Sequence, residues 1–132
     1  MVLALLVLML NPVYADRFQE AINAGQKGDF ATANRLFQSL AEEGDALGQY
    51  ALGTMHENGN GVPKNFDEAV KWYKLAAEQG EAGGQFALGS MYYKGCQNRL
   101  SLISCKGLKK NYSKAFKWFK LSAQQGSMEG QS

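Results

Sequence analysis

Few residues in this sequence have types and spacing that could do chemistry. His56 is the single histidine, so a Ser-His-Asp or Cys-His site would have to be built on it. It lies in a stretch that recurs later with Tyr92 in its place, which points to a core or rim position instead. Cys96 and Cys105 are the only cysteines. Zinc would need four ligands, and only His56 could join them. There is no His-Glu-x-x-His, no Ser followed three residues later by Lys, and no Lys-Thr-Gly. Gly59-x-Gly61 lacks the third glycine of a dinucleotide loop and follows a helical stretch, so it reads as a turn. Trp72-Tyr73 and Trp118-Phe119 could stack on sugars or bases, but they recur at one repeat position, which favours core packing. Asn111-Tyr112-Ser113 matches a glycosylation sequon of a kind common by chance. The sequence therefore predicts no catalytic residue, no metal site and no cofactor.

The composition bounds the partner. The 132 residues are 45% hydrophobic and 20% charged, with a formal net charge of +2. That balance is globular and argues against disorder. So modest a total also argues against nucleic acid as a partner. Val2–Leu10 is an unbroken apolar run, followed by Asn11-Pro12 and Val13-Tyr14-Ala15. Small residues three and one positions before a break suit signal peptidase, so residues 1–15 read as an export signal, although no Lys or Arg precedes Arg17. The run is too short to span a bilayer, so no stable membrane insertion is expected and the protein is placed in the periplasm or secreted. In an exported chain an even cysteine count favours a Cys96–Cys105 disulfide, contributing at most about 2.7 kcal/mol by loop closure; two free thiols are the alternative.

The dominant feature is an internal repeat. Ala51–Gly59, containing Leu52-Gly53-Thr54-Met55-His56, lies over Ala87–Gly95, containing Leu88-Gly89-Ser90-Met91-Tyr92, at an offset of 36. Asn65–Gly80, with Lys71-Trp72-Tyr73-Lys74, lies over Asn111–Gly126, with Lys117-Trp118-Phe119-Lys120, at an offset of 46. The difference is a ten-residue insertion after Gly95 that holds both cysteines. A looser copy, Asp29–Gly44, precedes Asn65–Gly80 by 36. A period in this range signals a solenoid, because one unit cannot bury both of its faces. Each unit reads as two helices. The second starts at Asn65, whose side chain caps free amides with Glu68 three residues on. It buries Ala69, Trp72, Tyr73, Ala76 and Ala77 and stops at Gly80. Gly53 and Gly89 are expected to let the paired helix approach, with Trp72 and Trp118 lying across the gap. The fold class is all-α, an α/α superhelix (solenoid) of stacked antiparallel helix pairs, divided as 16–44, 45–80, 81–126 and the start of a further unit at 127–132.

The pattern Leu52-Gly53-x-Met55-His56-x-x-Gly59-x-Gly61-Val62, then Glu68-Ala69-x-Lys71-Trp72-Tyr73-x-x-Ala76-Ala77-x-x-Gly80, resembles the Sel-one-like repeat, a relative of the tetratricopeptide repeat. The first unit lacks the Leu-Gly and Trp motifs and looks closer to a tetratricopeptide unit. The resemblance implies an adaptor that binds a protein or peptide partner. Some cysteine-rich members of the family bind or slowly hydrolyse β-lactams, which supplies the enzymatic alternative; the missing Ser-x-x-Lys favours the adaptor.

Two surfaces are expected to serve binding. First helices of solenoids of this type line the concave face. The residues there that lie away from the repeated packing stripe are Tyr50, Thr54, Glu57 and Asn58 in one unit, and Phe86, Ser90, Tyr93 and Lys94 in the next, a set whose charge varies between copies. The last unit, lacking an amphipathic cap, is expected to leave Ala115, Phe119 and Ser122 partly open, covered by a partner or by self-association through the C-terminal end.

Overall fold

A computed structural model describes residues 15–95 and 108–130, with side chains to Gly126. Among the described residues there are six helices and no strand: α1 (15–26), α2 (Phe30–Glu42), α3 (Ala46–Asn58), α4 (Phe66–Glu78), α5 (Ala82–Lys94) and α6 (Tyr112–Gly130). The expected leader, and the cysteine pair in the insertion, lie outside the described residues apart from Ala15. No described helix is long and apolar enough to cross a membrane.

Local chemistry sets the helix ends. Asp29, Asp45, Asn65 and Asn111 each accept a hydrogen bond from the backbone amide three residues on, at 2.7–3.2 Å. Glu81 does the same for Gly84. Of the capping box expected at Asn65 only this half forms; the Glu68 carboxylate lies 3.6 Å from Lys71 instead. Gly44 and Gly80 take φ of 93° and 92°, a conformation open to residues without a Cβ, and reverse the chain after α2 and α4. Gly126 does not. There α6 runs on to Gly130, where a turn into a further helix was expected.

Each helix packs chiefly on its neighbours in sequence, so three helix pairs stack in a row. α4 buries Ala69, Trp72, Tyr73, Ala76 and Ala77, the face read from its periodicity. The aromatic over each glycine is different from the one expected. A Cβ on Gly53 would lie 2.7 Å from the Tyr73 ring, and a Cβ on Gly89 would lie 2.9 Å from the Phe119 ring. Trp72 instead turns toward Ala41 and Leu52, and Trp118 is only half-buried. Consecutive helical residues differ by about 100° in direction, so of two adjacent rings only one can meet the glycine. An aromatic pair recurs in every unit: Phe18–Phe37, Tyr50–Tyr73 and Phe86–Phe119, with ring centroids 5.4–5.9 Å apart.

His56 is half-buried, and its Nδ1 is buried with no hydrogen-bond partner among the described residues. Burial holds its pKa below 6.5; Lys71 adds to this and Glu68 opposes it. A lowered imidazole pKa means that the unfolded chain binds the proton more readily. Stability should therefore fall as pH drops below about 6.5 and level off beneath the folded pKa. Urea titrations between pH 7 and 5 should show this slope, and His56→Phe should flatten it. An unchanged slope in the variant would assign the effect elsewhere.

Candidate functional site

The eight residues singled out from the sequence divide by unit. In the α3 unit they are tied into the fold. The Tyr73 hydroxyl donates to Glu57 Oε2 at 2.5 Å and lies 3.2 Å from Thr54 Oγ1. Burial, with the Glu57 bond next, pushes the Tyr73 hydroxyl far above the usual phenol range, so it stays protonated. Thr54 donates to the Tyr50 carbonyl at 3.0 Å. Tyr50 packs on Tyr73 and is covered by α5, where a Cβ on Gly83 would stand 2.9 Å from its ring. Only Asn58 is exposed.

In the α5 unit the same repeat positions face outward. Phe86 is 59% exposed and Tyr93 56%. Lys94 is exposed and Ser90 half-buried. Phe119 has no hydroxyl, so the Thr54–Glu57–Tyr73 network has no counterpart. Phe86 packs on Phe119, and Tyr93 packs on Tyr112, each with centroids 5.4 Å apart. Tyr112 (61% exposed) and Phe116 (69%) extend the surface along α6. The result is an apolar groove. One end is lined by Phe86, Phe119, Ser122 and Ala123, and the other by Tyr93, Tyr112, Ala115, Phe116 and Phe119. Ala115, expected to be open, is buried beneath α5 beside Gly89. The open residues are Tyr112, Phe116 and Ala123, with Phe119 and Ser122 half-buried.

A set of glutamines positions the groove and was not singled out from the sequence. Gln49 and Gln85, both buried, donate to the carbonyls of Ala41 and Ala77 on the preceding helix at 3.3 Å. Each also accepts from a glutamine at the far end of its partner helix: Gln79 to Gln49 at 2.8 Å, and Gln125 to Gln85 at 2.9 Å. Gln79 and Gln125 reach on to the carbonyls of Gly44 and Gly80. Each pair thus joins three helices and satisfies helix-end carbonyls that would otherwise lose water. The signal was present as the identical residue 36 or 46 positions on. Replacing Gln85 by Leu should cost about 1–3 kcal/mol by leaving buried amide groups unpaired, and removing Gln125 as well should recover part of it. Chemical denaturation of the single and double variants checks this; strictly additive losses would show that the two amides do not act together.

No described cluster of three or more His, Cys, Asp or Glu side chains could hold a metal ion. What the site offers is a shaped apolar surface. The Sel1 repeat model matches residues 18–45, 46–81, 82–95 and 96–127. The last two segments adjoin just beyond the end of α5 and together span the α5–α6 pair with its insertion. No curated protein matches the chain. Among solved structures, a Sel1 repeat protein from Oxalobacter formigenes is 30% identical, covers 82% of this chain and superposes with a TM-score of 0.69. A protective antigen present in uropathogenic Escherichia coli strains, displaying an SLR fold, is 30% identical, covers 86% and gives 0.72. This chain spans only 40% and 23% of those two proteins. With three helix pairs, a Leu-Gly approach closed by an aromatic ring and family matches from residue 18 to 127, the chain belongs to the Sel1 repeat family, whose members are generally protein-interaction scaffolds.

Proposed function

We propose that this protein is a protein-interaction scaffold of the periplasm or secreted space that takes a protein or peptide partner in the aromatic groove between α5 and α6. The observation that carries the reading is the run of exposed rings, Phe86, Tyr93, Tyr112 and Phe116, on one continuous surface. A contiguous apolar patch on a water-facing surface marks an interaction site more often than chance exposure does. Aromatic rings ordered against one another, as here, also lose little side-chain entropy on binding. The first-helix residues of the α3 unit contribute less, because Tyr50, Thr54 and Glu57 already serve the fold.

Alanine at Phe86 and Tyr93 should weaken partner binding by more than about 1 kcal/mol while leaving the melting temperature nearly unchanged. Comparing partners captured from periplasm by the parent and variant proteins, then titrating any partner that depends on the two rings, checks this. Equal loss of folding and binding would make them core residues. Unchanged capture would move the site away from the groove.

A further inference from the structure

The net charge of +2 conceals a strong polarity. Residues 1–81 hold six basic and eleven acidic side chains, whereas residues 82–132 hold eight basic and one acidic. No Asp or Glu occurs between Ala82 and Met128. The repeat itself does not require this. Where α4 carries Asp67, Glu68 and Glu78, the same positions of α6 carry Ser113, Lys114 and Gln124, while Lys71 and Lys74 are matched by Lys117 and Lys120. Lys117 and Lys120 line a neighbouring concavity on α6 that shares Phe116 with the aromatic groove, so their long side chains lie beside it.

The fold also shows what shape fits there. On α4, Phe66, Val70, Tyr73 and Ala77 belong to one apolar cluster with Ala87, Leu88, Met91 and Tyr92 of α5, which packs along α4. The same repeat positions on α6 are Tyr112, Phe116, Phe119 and Ala123, the residues that line the groove. The groove is therefore a second copy of a surface that this chain already fills with a helix. At the crossing, Gly84 approaches Ala76 so closely that a Cβ would lie 2.8 Å away. Ser122, the counterpart of Ala76, asks the same of an incoming helix.

We infer that the α5–α6 groove binds an acidic amphipathic α-helix of a protein partner, laid along α6 as α5 lies along α4, with Gly or Ala where it crosses Ser122 and with Glu or Asp facing Lys117 and Lys120. This rests on the scaffold reading above and specifies the partner. The apolar stripe supplies contact area in the helix-in-groove manner, and the cations steer the encounter and select charge.

A phage-displayed helix with randomised surface positions, selected against the full chain, tests this without presupposing a partner. The enriched helices should be rich in Asp and Glu with one small residue at fixed spacing. They should lose at least tenfold in affinity against Lys117→Glu/Lys120→Glu, and also on raising salt from 50 to 300 mM. They should not bind Phe86→Ser/Phe116→Ser. Melting curves and circular dichroism of both double variants should match the parent, and a variant that fails this control is replaced by single substitutions. Enriched helices that need Phe86 and Phe116 but show no acidic bias would overturn the inference and leave the scaffold reading standing. Enrichment of none that depends on those rings would overturn both. Three other outcomes also overturn the acidic-helix assignment: displacement of the helices by an oligonucleotide, binding to phosphatidylserine-containing vesicles that depends on Lys117 and Lys120, or salt-sensitive dimers lost in the Phe116→Ser chain.

Discussion

Gly53→Leu is expected to lower stability by about 3 kcal/mol or more, at the upper end of overpacking effects, while Gly89→Leu costs about 1–2 kcal/mol. The sequence treats the two glycines as equivalent. Their surroundings do not. The Tyr73 ring over Gly53 is almost fully buried, and its hydroxyl is held by Glu57 and Thr54. Tyr50, itself covered by α5, stacks beside it, whereas Phe86 beside Phe119 is exposed. The carbonyl 3.3 Å from the new Cβ, of Ala69 at Gly53 and of Ala115 at Gly89, is common to both sites. The Tyr73 ring cannot leave without breaking its hydrogen bonds. Phe119, over Gly89, has no polar anchor and borders the open groove, so it can swing outward. Urea denaturation of the two variants measures the difference. Equal losses would show that the polar anchor of Tyr73 contributes nothing to rigidity at this crossing.

Leu52→Ala and Leu88→Ala should each cost about 2–5 kcal/mol, since both side chains are fully buried and would leave cavities. The way the structure fails should differ. Leu52 packs with Ala41 of α2 and Trp72 of α4, so it joins the middle pair to the unit before it. Leu88 packs with Ala69, Tyr73 and Ala77 of α4. In a linear array each unit is held by its neighbours alone. Emptying the Leu88 site should let α5 and α6 open while α1–α4 remain protected. Emptying the Leu52 site should raise hydrogen exchange along the whole array. Native-state exchange distinguishes the two patterns, and one uniform rise in both variants would mean that the three pairs unfold as a single unit. The Leu88 variant should also lose partner binding before it loses helicity, because the groove belongs to the pair that opens.

The offsets of 36 and 46, the asparagines that begin α4 and α6, the glycines that end α2 and α4, and the buried stripe Ala69, Trp72, Tyr73, Ala76 and Ala77 were legible in the linear sequence. Each depends on residues a few positions apart, or on one pattern repeated, and helical periodicity converts such spacing into direction. Which ring meets Gly53 was not legible. Trp72 and Tyr73 both lie on the buried arc, and only the crossing of α3 over α4 selects Tyr73. The glutamine pairs were visible as repeats, but an amide shows its role only when the carbonyls of Ala41 and Ala77 are placed beside it. Tyr50 and Phe86 hold one repeat position, and the sequence gives them one reading. In the structure α5 covers the first, while the second borders an open groove. Exposure belongs to the neighbour as much as to the residue, and the neighbour is set by tertiary stacking.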